Sequence, residues 1–364
     1  MASNSFGNIF RITTWGESQG KAIGVVIDGC PAGLEISEQE IDRELALRQP
    51  GNSAYTSPRK EKDRAEILSG VFEGKTSGAP ISIIIQNQDA DPSKYHPIKD
   101  LLRPGHANFT YLQKYGLIDD YGVGRSSARE TACRVAAGAV AKKLLAHYQL
   151  QVIAYIKEIG GIQINSPELL DIDNLRQSIR SNPLFCPDVQ RAAEMMQAIE
   201  RAKEEGDSLG GVIEAVGFLP PGLGDPVYEK LEANLAKAMM SLPATKGFEI
   251  GEGFEAARMK GSEHNDLFDL NQKNEVVTRT NHAGGTLGGI STGMPLKMRI
   301  AFKPTSSIKK IQETLTLTNQ RANLQLPEGS RHDPCVTIRA VPIVEAMCAL
   351  VLADALLLGR SAKL

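Results

Sequence analysis

Residues 10–29 read FRITTWGESQGKAIGVVIDG. Within them Gly16-Glu17-Ser18-Gln19-Gly20 matches the G-x-S-x-G pattern of a nucleophile elbow, which requires a strand, a strained turn and then a helix. The residues before the turn, IFRITTW, have strand character. Those after it, KAIGVVIDG, are rich in β-branched residues and glycine and read as a second strand. The elbow pattern therefore fails on its second half, and a serine hydrolase acting through Ser18 is disfavoured.

Outward from this turn, strand patterns fall near 8–15, 22–29, 65–72, 80–87, 151–164, 210–219, 247–259, 295–302 and 335–340. Helical patterns fall at 38–48, 127–148, 188–204, 227–242 and 342–358. Ser37 and Glu40 have capping-box spacing before the first helix, and Gly206 stops the third. The order has no regular βαβ period, and no G-x-G-x-x-G follows a strand, which disfavours a Rossmann sheet. A layered α+β fold fits better. Residues 20–45 (GKAIGVVIDGCPAGLEISEQEIDREL) and 206–231 (GDSLGGVIEAVGFLPPGLGDPVYEKL) both run from a glycine-rich strand through a P-x-G-L turn into an acidic helix. That similarity suggests two related halves packed as a single domain over 1–364, with no low-complexity linker between them.

The 364 residues are 41% hydrophobic and 23% charged, with a formal net charge of −2. No basic face or tail marks a nucleic-acid or anionic-membrane binder. The longest apolar run, AMCALVLADALLL, is broken by Asp354 and reads as a buried helix. Five cysteines (30, 133, 186, 335 and 348) form no C-x-x-C pair and read as packed, reduced thiols, which favours the cytoplasm.

The chemistry concentrates in five loops: ALRQPGN (Arg48), LLRPGHAN (Arg103, His106), GVGRSSARET (Arg125, Arg129), FKPTSS (Lys303) and GSRHDPC (Arg331, His332, Asp333). Most place a cation beside glycine or proline, and several add a hydroxyl or imidazole. Rigid turns of this kind present arginine's planar fork to carboxylates and phosphates. Any one such arginine reads as solvated; five loops together point to a compact, anion-rich ligand. The helix after Ser127 and Glu130 begins with Arg129 and Arg134, which oppose its dipole, a conflict that a nearby anion would relieve. Ala132, Ala136, Ala137, Gly138 and Ala139 in that helix suit close packing. NHAGGTLGGISTG, residues 281–293, has five glycines and suits either close approach to a cofactor or a surface loop. Among the histidines, His106 and His332 are the acid/base candidates. No H-x-x-x-H or H-E-x-x-H pair signals a metal site.

GRSSARETACRVAAGA, RPGHAN, NHAGGTLGGISTG, KPTSS and SRHDPCVTIRAVPIVEAM, supported by SGVFEGKTSGAPI and EGDSLGG, together resemble the chorismate synthase family over nearly the whole chain. The resemblance implies a β-α-β layered homotetramer. It also implies a lyase at the last common step of the shikimate pathway, ahead of the aromatic amino acids. In that reaction 5-enolpyruvylshikimate 3-phosphate loses phosphate and its C6 hydrogen by anti-1,4-elimination to give chorismate. Reduced FMN is required without net redox change; it lends electron density and receives the C6 hydrogen at N5. NADPH would act as reductant either through the chain itself or through an external flavin reductase.

Matched motif by motif, the resemblance places Asp333 by flavin N5, assisting the proton transfer there, and His106 as a hydrogen-bonding partner that helps protonate the reduced flavin ring. Ser18, Arg48, Arg103, Arg129 and Arg331 would grip the substrate's anions. Arg125, Ser126, Ser127, Pro243, Ala244, Gly288, Lys303, Pro304, Thr305, Ser306, Ser307 and Arg331 would contact the flavin. Two positions depart from the family pattern. Gln19 stands where GESHG usually supplies a histidine to assist phosphate departure, and Ala54 stands where a second arginine is common. An amide can orient phosphate but cannot act as a general acid near neutral pH. Arginines could supply the stabilisation electrostatically, with Arg59, Lys60 or Arg64 compensating for Ala54. The alternative is a catalytically weakened relative that binds flavin and substrate.

Overall fold

The computed structural model describes residues 3–51, 55–57, 62–89, 96–119, 124–169, 171–327, 329–330, 332 and 333–363. The turn at 16–20 is a hairpin. Strand β2 (Arg11–Gly16) ends at Gly16, the chain turns with Gly20 N–H on Glu17 O at 3.2 Å, and β3 (Ala22–Asp28) returns antiparallel. No helix follows Ser18, which removes the elbow. Gly16 has φ +89°, and a Cβ there would lie 2.3 Å from Ala22 O, so the hairpin requires glycine.

The first half continues from a short edge strand β1 (Ser5–Phe6), β2 and β3 through helix α1 (Glu38–Arg48), which starts on the Ser37–Glu40 capping box. Strand β4 (Ala65–Ser69), a small ribbon of β5 (Val71–Phe72) and β6 (Lys75–Thr76), and β7 (Ile81–Gln86) follow. Helices α2 (Asn108–Tyr115) and α3 (Thr131–His147) complete it. The second half runs β8 (Gln151–Ile159), β9 (Ile162–Gln163), α4 (Ile172–Arg180), α5 (Val189–Glu204), β10 (Gly211–Phe218), α6 (Leu231–Met240) and β11 (Thr245–Ile250). Then come α7 (Gly261–His264), the hairpins β12 (Phe268–Leu270)–β13 (Val276–Thr278) and β14 (Thr286–Leu287)–β15 (Ile290–Ser291), and β16 (Leu296–Phe302). Last are β17 (Gln312–Leu315), β18 (Arg321–Leu324) and α8 (Thr337–Gly359).

Two antiparallel sheets result, ordered β1-β2-β3-β7-β4 and β11-β16-β10-β8-β9. Stripped of insertions, each half is β-β-α-β-β-α, with its four strands in the spatial order first, second, fourth, third. The halves suggested by residues 20–45 and 206–231 share this topology: β3 and β10 occupy equivalent central positions, and α1 and α6 follow them. The helices lie between the sheets, giving the β-α-β layers of an α+β sandwich. One continuous apolar cluster extends from Phe10 to Leu357.

Helices α3 and α8 are buried on nearly every side, which explains their apolar composition. Gly138 of α3 meets α8 so closely that a Cβ would sit 2.4 Å from Ala346 Cβ and 2.7 Å from its Cα. Gly138→Ala would gain about 1 kcal/mol of helix propensity. The overpacking cost of roughly 1–3 kcal/mol or more should outweigh it. A lower melting temperature is expected, and an unchanged or higher one would contradict this packing.

Helix α8 is long and apolar but mostly buried inside the fold. Its charges are matched: Asp354 accepts the N–H groups of Asn8, Ile9 and Phe10 at 2.7–2.9 Å, and Glu345 pairs with Lys142 at 2.7 Å. All five cysteines are free and buried; burial raises the Cys30, Cys186 and Cys335 thiols to about 11 and Cys133 to about 12.

Three readings need correction. The segment 335–340 is not a strand: α8 starts at Thr337 and carries Pro342 in its sixth position, because burial between the sheets overrides the β-branched run VTI. The segment 247–259 is strand only to Ile250, and residues Gly253–Arg258 form a 3₁₀ turn. Helices α2 and α4 escaped the pattern reading altogether.

Candidate active site

Each half contributes the same two connections to one cleft. The end of its first helix supplies Arg48 from α1, and Pro243 and Ala244 after α6. The link from its fourth strand to its second helix supplies Arg103–Arg129 in one half and Lys303–Arg339 in the other. The cleft has a volume of about 460 Å³. Arg48, Arg103, His106, Ser126, Ser127, Arg129, Pro243, Ala244, Lys303, Pro304, Thr305, Ser306, Ser307 and Asp333 line it, with Ser57, His332 and Arg339. Five cations thus face it, and Asp333 is the sole acidic residue among the described lining residues.

The loops hold one another. Hairpin β17–β18 pairs with the loop segment before Arg103: Leu102 N–H donates to Leu315 O at 2.8 Å, and Leu317 N–H to Asp100 O at 2.8 Å. Gly105 has φ +68°, and a Cβ there would come 3.2 Å from Ser306 Cβ. Lys303 Nζ donates to Gly105 O at 2.7 Å, and Arg103 Nη2 to Ser307 Oγ at 3.1 Å. Ser208, in EGDSLGG, donates its hydroxyl to Thr305 O at 2.7 Å. Ala244 sits at φ +69°, unusual for a residue with a Cβ, and its carbonyl accepts Lys303 N–H at 2.9 Å.

Asp333 is gripped at both oxygens, by Ser57 N–H at 2.7 Å and by Arg339 Nη1 at 2.9 Å. Arg339 also donates through Nε to Arg48 O at 3.1 Å. Two polar atoms of the lining, His106 Nδ1 and Thr305 Oγ1, are buried and have no hydrogen-bond partner. Burial, reinforced by Arg103, Lys303 and His332, pushes the His106 imidazole down to about 3. Burial and then Arg103 push His332 down to about 4, against the pull of Asp333.

Other predicted residues lie elsewhere. Ser18 is buried with its hydroxyl unmatched, and Gln19 beside it is half-buried; neither is among the residues lining the cleft. Arg125 turns its guanidinium to β2, donating to Gly16 O, Thr14 O and the Thr14 hydroxyl at 2.7–3.0 Å, so it secures the strand end. Gly288 lies in the β14–β15 turn; the neighbouring Gly289 carbonyl accepts Leu231 N–H at 2.9 Å, placing that turn at the opposite end of α6 from Pro243. Of the 281–293 glycines, Gly284 serves close backbone packing, since a Cβ there would meet Gly251 N at 2.3 Å, whereas nothing lies within 4 Å of a Cβ on Gly288. Arg331, Ala54, Arg59 and Lys60 lie outside the described residues, and Arg64 is exposed and not among those lining the cleft.

The conflict at the start of α3 is settled within the chain. Arg129 pairs with Asp63 and Arg134 with Glu130 at 2.6 Å, while Ser127 caps a 3₁₀ turn, Ala128–Glu130, that precedes the helix. Asp63, Asn87, Ser57 and Arg339 had no sequence signal of their own. The nearest was the charge run EKDRAE, which reads as a solvated surface.

The architecture and cleft can be set beside known proteins. The profile of the chorismate synthase family matches residues 10–357. The chain is 58% identical to the chorismate synthase of Protochlamydia amoebophila over the full length of both. It is 52% identical to that of Methanosarcina mazei, covering 98% of this chain and 97% of the relative, and 52% identical to that of Synechocystis, covering 97% of each. A crystal structure of chorismate synthase superposes with a TM-score of 0.75 at 35% identity, covering 96% of this chain and 92% of that one. With the strands from β2 onward, nearly all of the helical layer and the cation-lined cleft inside the matched region, this chain belongs to the chorismate synthase family.

Proposed function

We propose that the chain converts 5-enolpyruvylshikimate 3-phosphate to chorismate and phosphate, with reduced FMN as cofactor. The observation that carries this reading is the cleft itself, which among the described residues is lined by five cations from both halves and a single carboxylate, with two buried polar atoms that have no partner. A substrate with two carboxylates and a phosphate matches that charge. The residues also fit FMN. His106 Nδ1 and Thr305 Oγ1 offer hydrogen bonds that nothing in the fold satisfies, and Lys303–Ser307, Pro243, Ala244, Ser126 and Ser127 would hold it.

The chemistry that bound reduced FMN would supply is electron density and an acceptor for the C6 hydrogen. The chain's own groups do the rest. Arg48, Arg103 and Arg129, with Arg331, hold the anionic groups and stabilise charge gathering on the departing phosphate. His106, kept neutral by burial, acts as a hydrogen-bonding partner of the cofactor ring. Asp333, fixed at both oxygens, holds and moves a proton at its carboxylate. The homotetramer, cytoplasmic location and indirect use of NADPH through an external flavin reductase complete the proposal. Exposed apolar side chains at Phe254, Phe268, Leu270 and Val276 support self-association.

The test mixes purified protein, substrate, FMN and dithionite anaerobically and follows chorismate. Absence of turnover with both ligands bound would refute the reading. Gln19 motivates the weakened-relative alternative. With arginines carrying the phosphate, Gln19→His is expected to change kcat by less than about threefold. A gain near the 10²–10⁴ expected of general-acid assistance would establish the alternative.

A further inference from the structure

Asp63 touches no ligand-lining surface, yet two of the cleft's arginines depend on it. Its side chain is fully buried; Oδ2 accepts from Arg48 Nη1 at 3.0 Å and Oδ1 from Arg129 Nη1. Both arginine side chains are themselves only 2–3% exposed. Arg48 also donates through Nε to the Thr131 hydroxyl at 3.2 Å and through Nη2 to Ala128 O at 2.7 Å. Arg129 donates through Nε to Asn87 Oδ1 at 2.8 Å and through Nη2 to Gln86 O at 3.3 Å. The Asn87 amide then donates to Glu17 O at 2.9 Å and Gly20 O at 2.8 Å, spanning the turn that carries Ser18 and Gln19. Burial alone would raise the Asp63 carboxyl, but Arg48 and Arg129 more than offset it and hold it below the usual carboxylate range.

We propose that Asp63 is a positioning residue for the substrate. One carboxylate fixes the spacing of the Arg48 and Arg129 forks and, through Arg129 and Asn87, the placement of Ser18. Two like charges buried side by side would otherwise repel and splay, and an anion would meet them in a disordered arrangement. Preorganisation by a buried acceptor removes that ordering cost from binding. The inference rests on the substrate assignment above. The Lys303–Ser307 segment proposed for flavin is held by other bonds, Lys303 to Gly105, Arg103 to Ser307 and Ser208 to Thr305, none of which passes through Asp63.

The experiment compares wild type, Asp63→Asn, Asp63→Glu and Asn87→Ala. It measures substrate KM and kcat, the Kd of oxidised FMN, the Kd of inorganic phosphate by calorimetry, and melting temperature. Asp63→Asn is expected to raise substrate KM and phosphate Kd at least tenfold while FMN Kd stays within twofold; Asp63→Glu and Asn87→Ala should raise KM by smaller factors. A folded Asp63→Asn protein with KM and phosphate Kd within twofold of wild type overturns the proposal. So does a parallel weakening of FMN binding, which marks general loosening. If Asp63→Asn does not fold, unchanged KM in both Asp63→Glu and Asn87→Ala overturns it. A wild type that binds phosphate but makes no chorismate refutes the assigned reaction instead, and the phosphate comparison still decides the role of Asp63.

Discussion

Asp333→Asn is expected to lower kcat by about 10²–10⁴ with FMN affinity near wild type and a modest fall in melting temperature, because the amide nitrogen faces one of two donors. Both carboxylate oxygens are already engaged, by Ser57 N–H and Arg339 Nη1. An ionised carboxylate has about four acceptor positions, so room remains on it for a proton. Asparagine keeps the shape and one acceptor, but its amide cannot take up a proton near neutral pH. Arg339 remains anchored through Nε to Arg48 O, which limits collapse around the substitution. The measurement is single-turnover chorismate formation with FMN titration and thermal melting on the same preparation. A rate within fivefold of wild type would remove Asp333 from the chemistry. A matching loss of FMN affinity and stability would assign it a structural role.

Much of the layering was readable because its signals are local. The Ser37–Glu40 box placed α1 from Glu38, and Gly206, at φ +71°, ends the run of α5. The strand-like character of KAIGVVIDG excluded a helix after Ser18. The start of α8 was hidden because VTI and Pro342 both argue against a helix, and only enclosure between two sheets reverses that preference. Cations beside glycine or proline located most of the cleft, since that pairing reflects how a rigid loop presents a charge. What such a cation rests on is not local. Asp63, Arg48 and Arg129 are far apart in the chain and meet only when α1 and the approach to α3 pack together. Glycine content likewise cannot separate a ligand cradle from a crossing of two chain segments. The Gly284–Gly251 contact is of the second kind, while Gly105 against Ser306 lies in the cleft.

His106→Gln is expected to lower kcat by roughly 10² and to flatten the acid side of the apo protein's stability profile. His106 is pushed down to about 3 and His332 to about 4, each chiefly by burial, against an ordinary imidazole value near 6.5. Above pH 6.5 the folded and unfolded chains both hold these rings neutral, so neither contributes a pH dependence. As pH falls below 6.5 the unfolded chain binds protons that the folded chain refuses. Stability then declines by up to about 1.4 kcal/mol per pH unit for each histidine, until the folded value is reached. Carboxylates with lowered values, Asp63 and Glu44 among them, add their own loss only at lower pH, near and below the ordinary carboxylate range. The interval between pH 6 and 4.5 therefore belongs largely to the two imidazoles, and glutamine at 106 should roughly halve the slope of stability there. Denaturant titrations at several pH values measure it. The same burial predicts that the pH–rate profile of wild type has no inflection near 6.5 belonging to His106. An inflection there that His106→Gln abolishes, or an unchanged stability slope, would mean that the ring is protonated in the working enzyme and takes part as an acid.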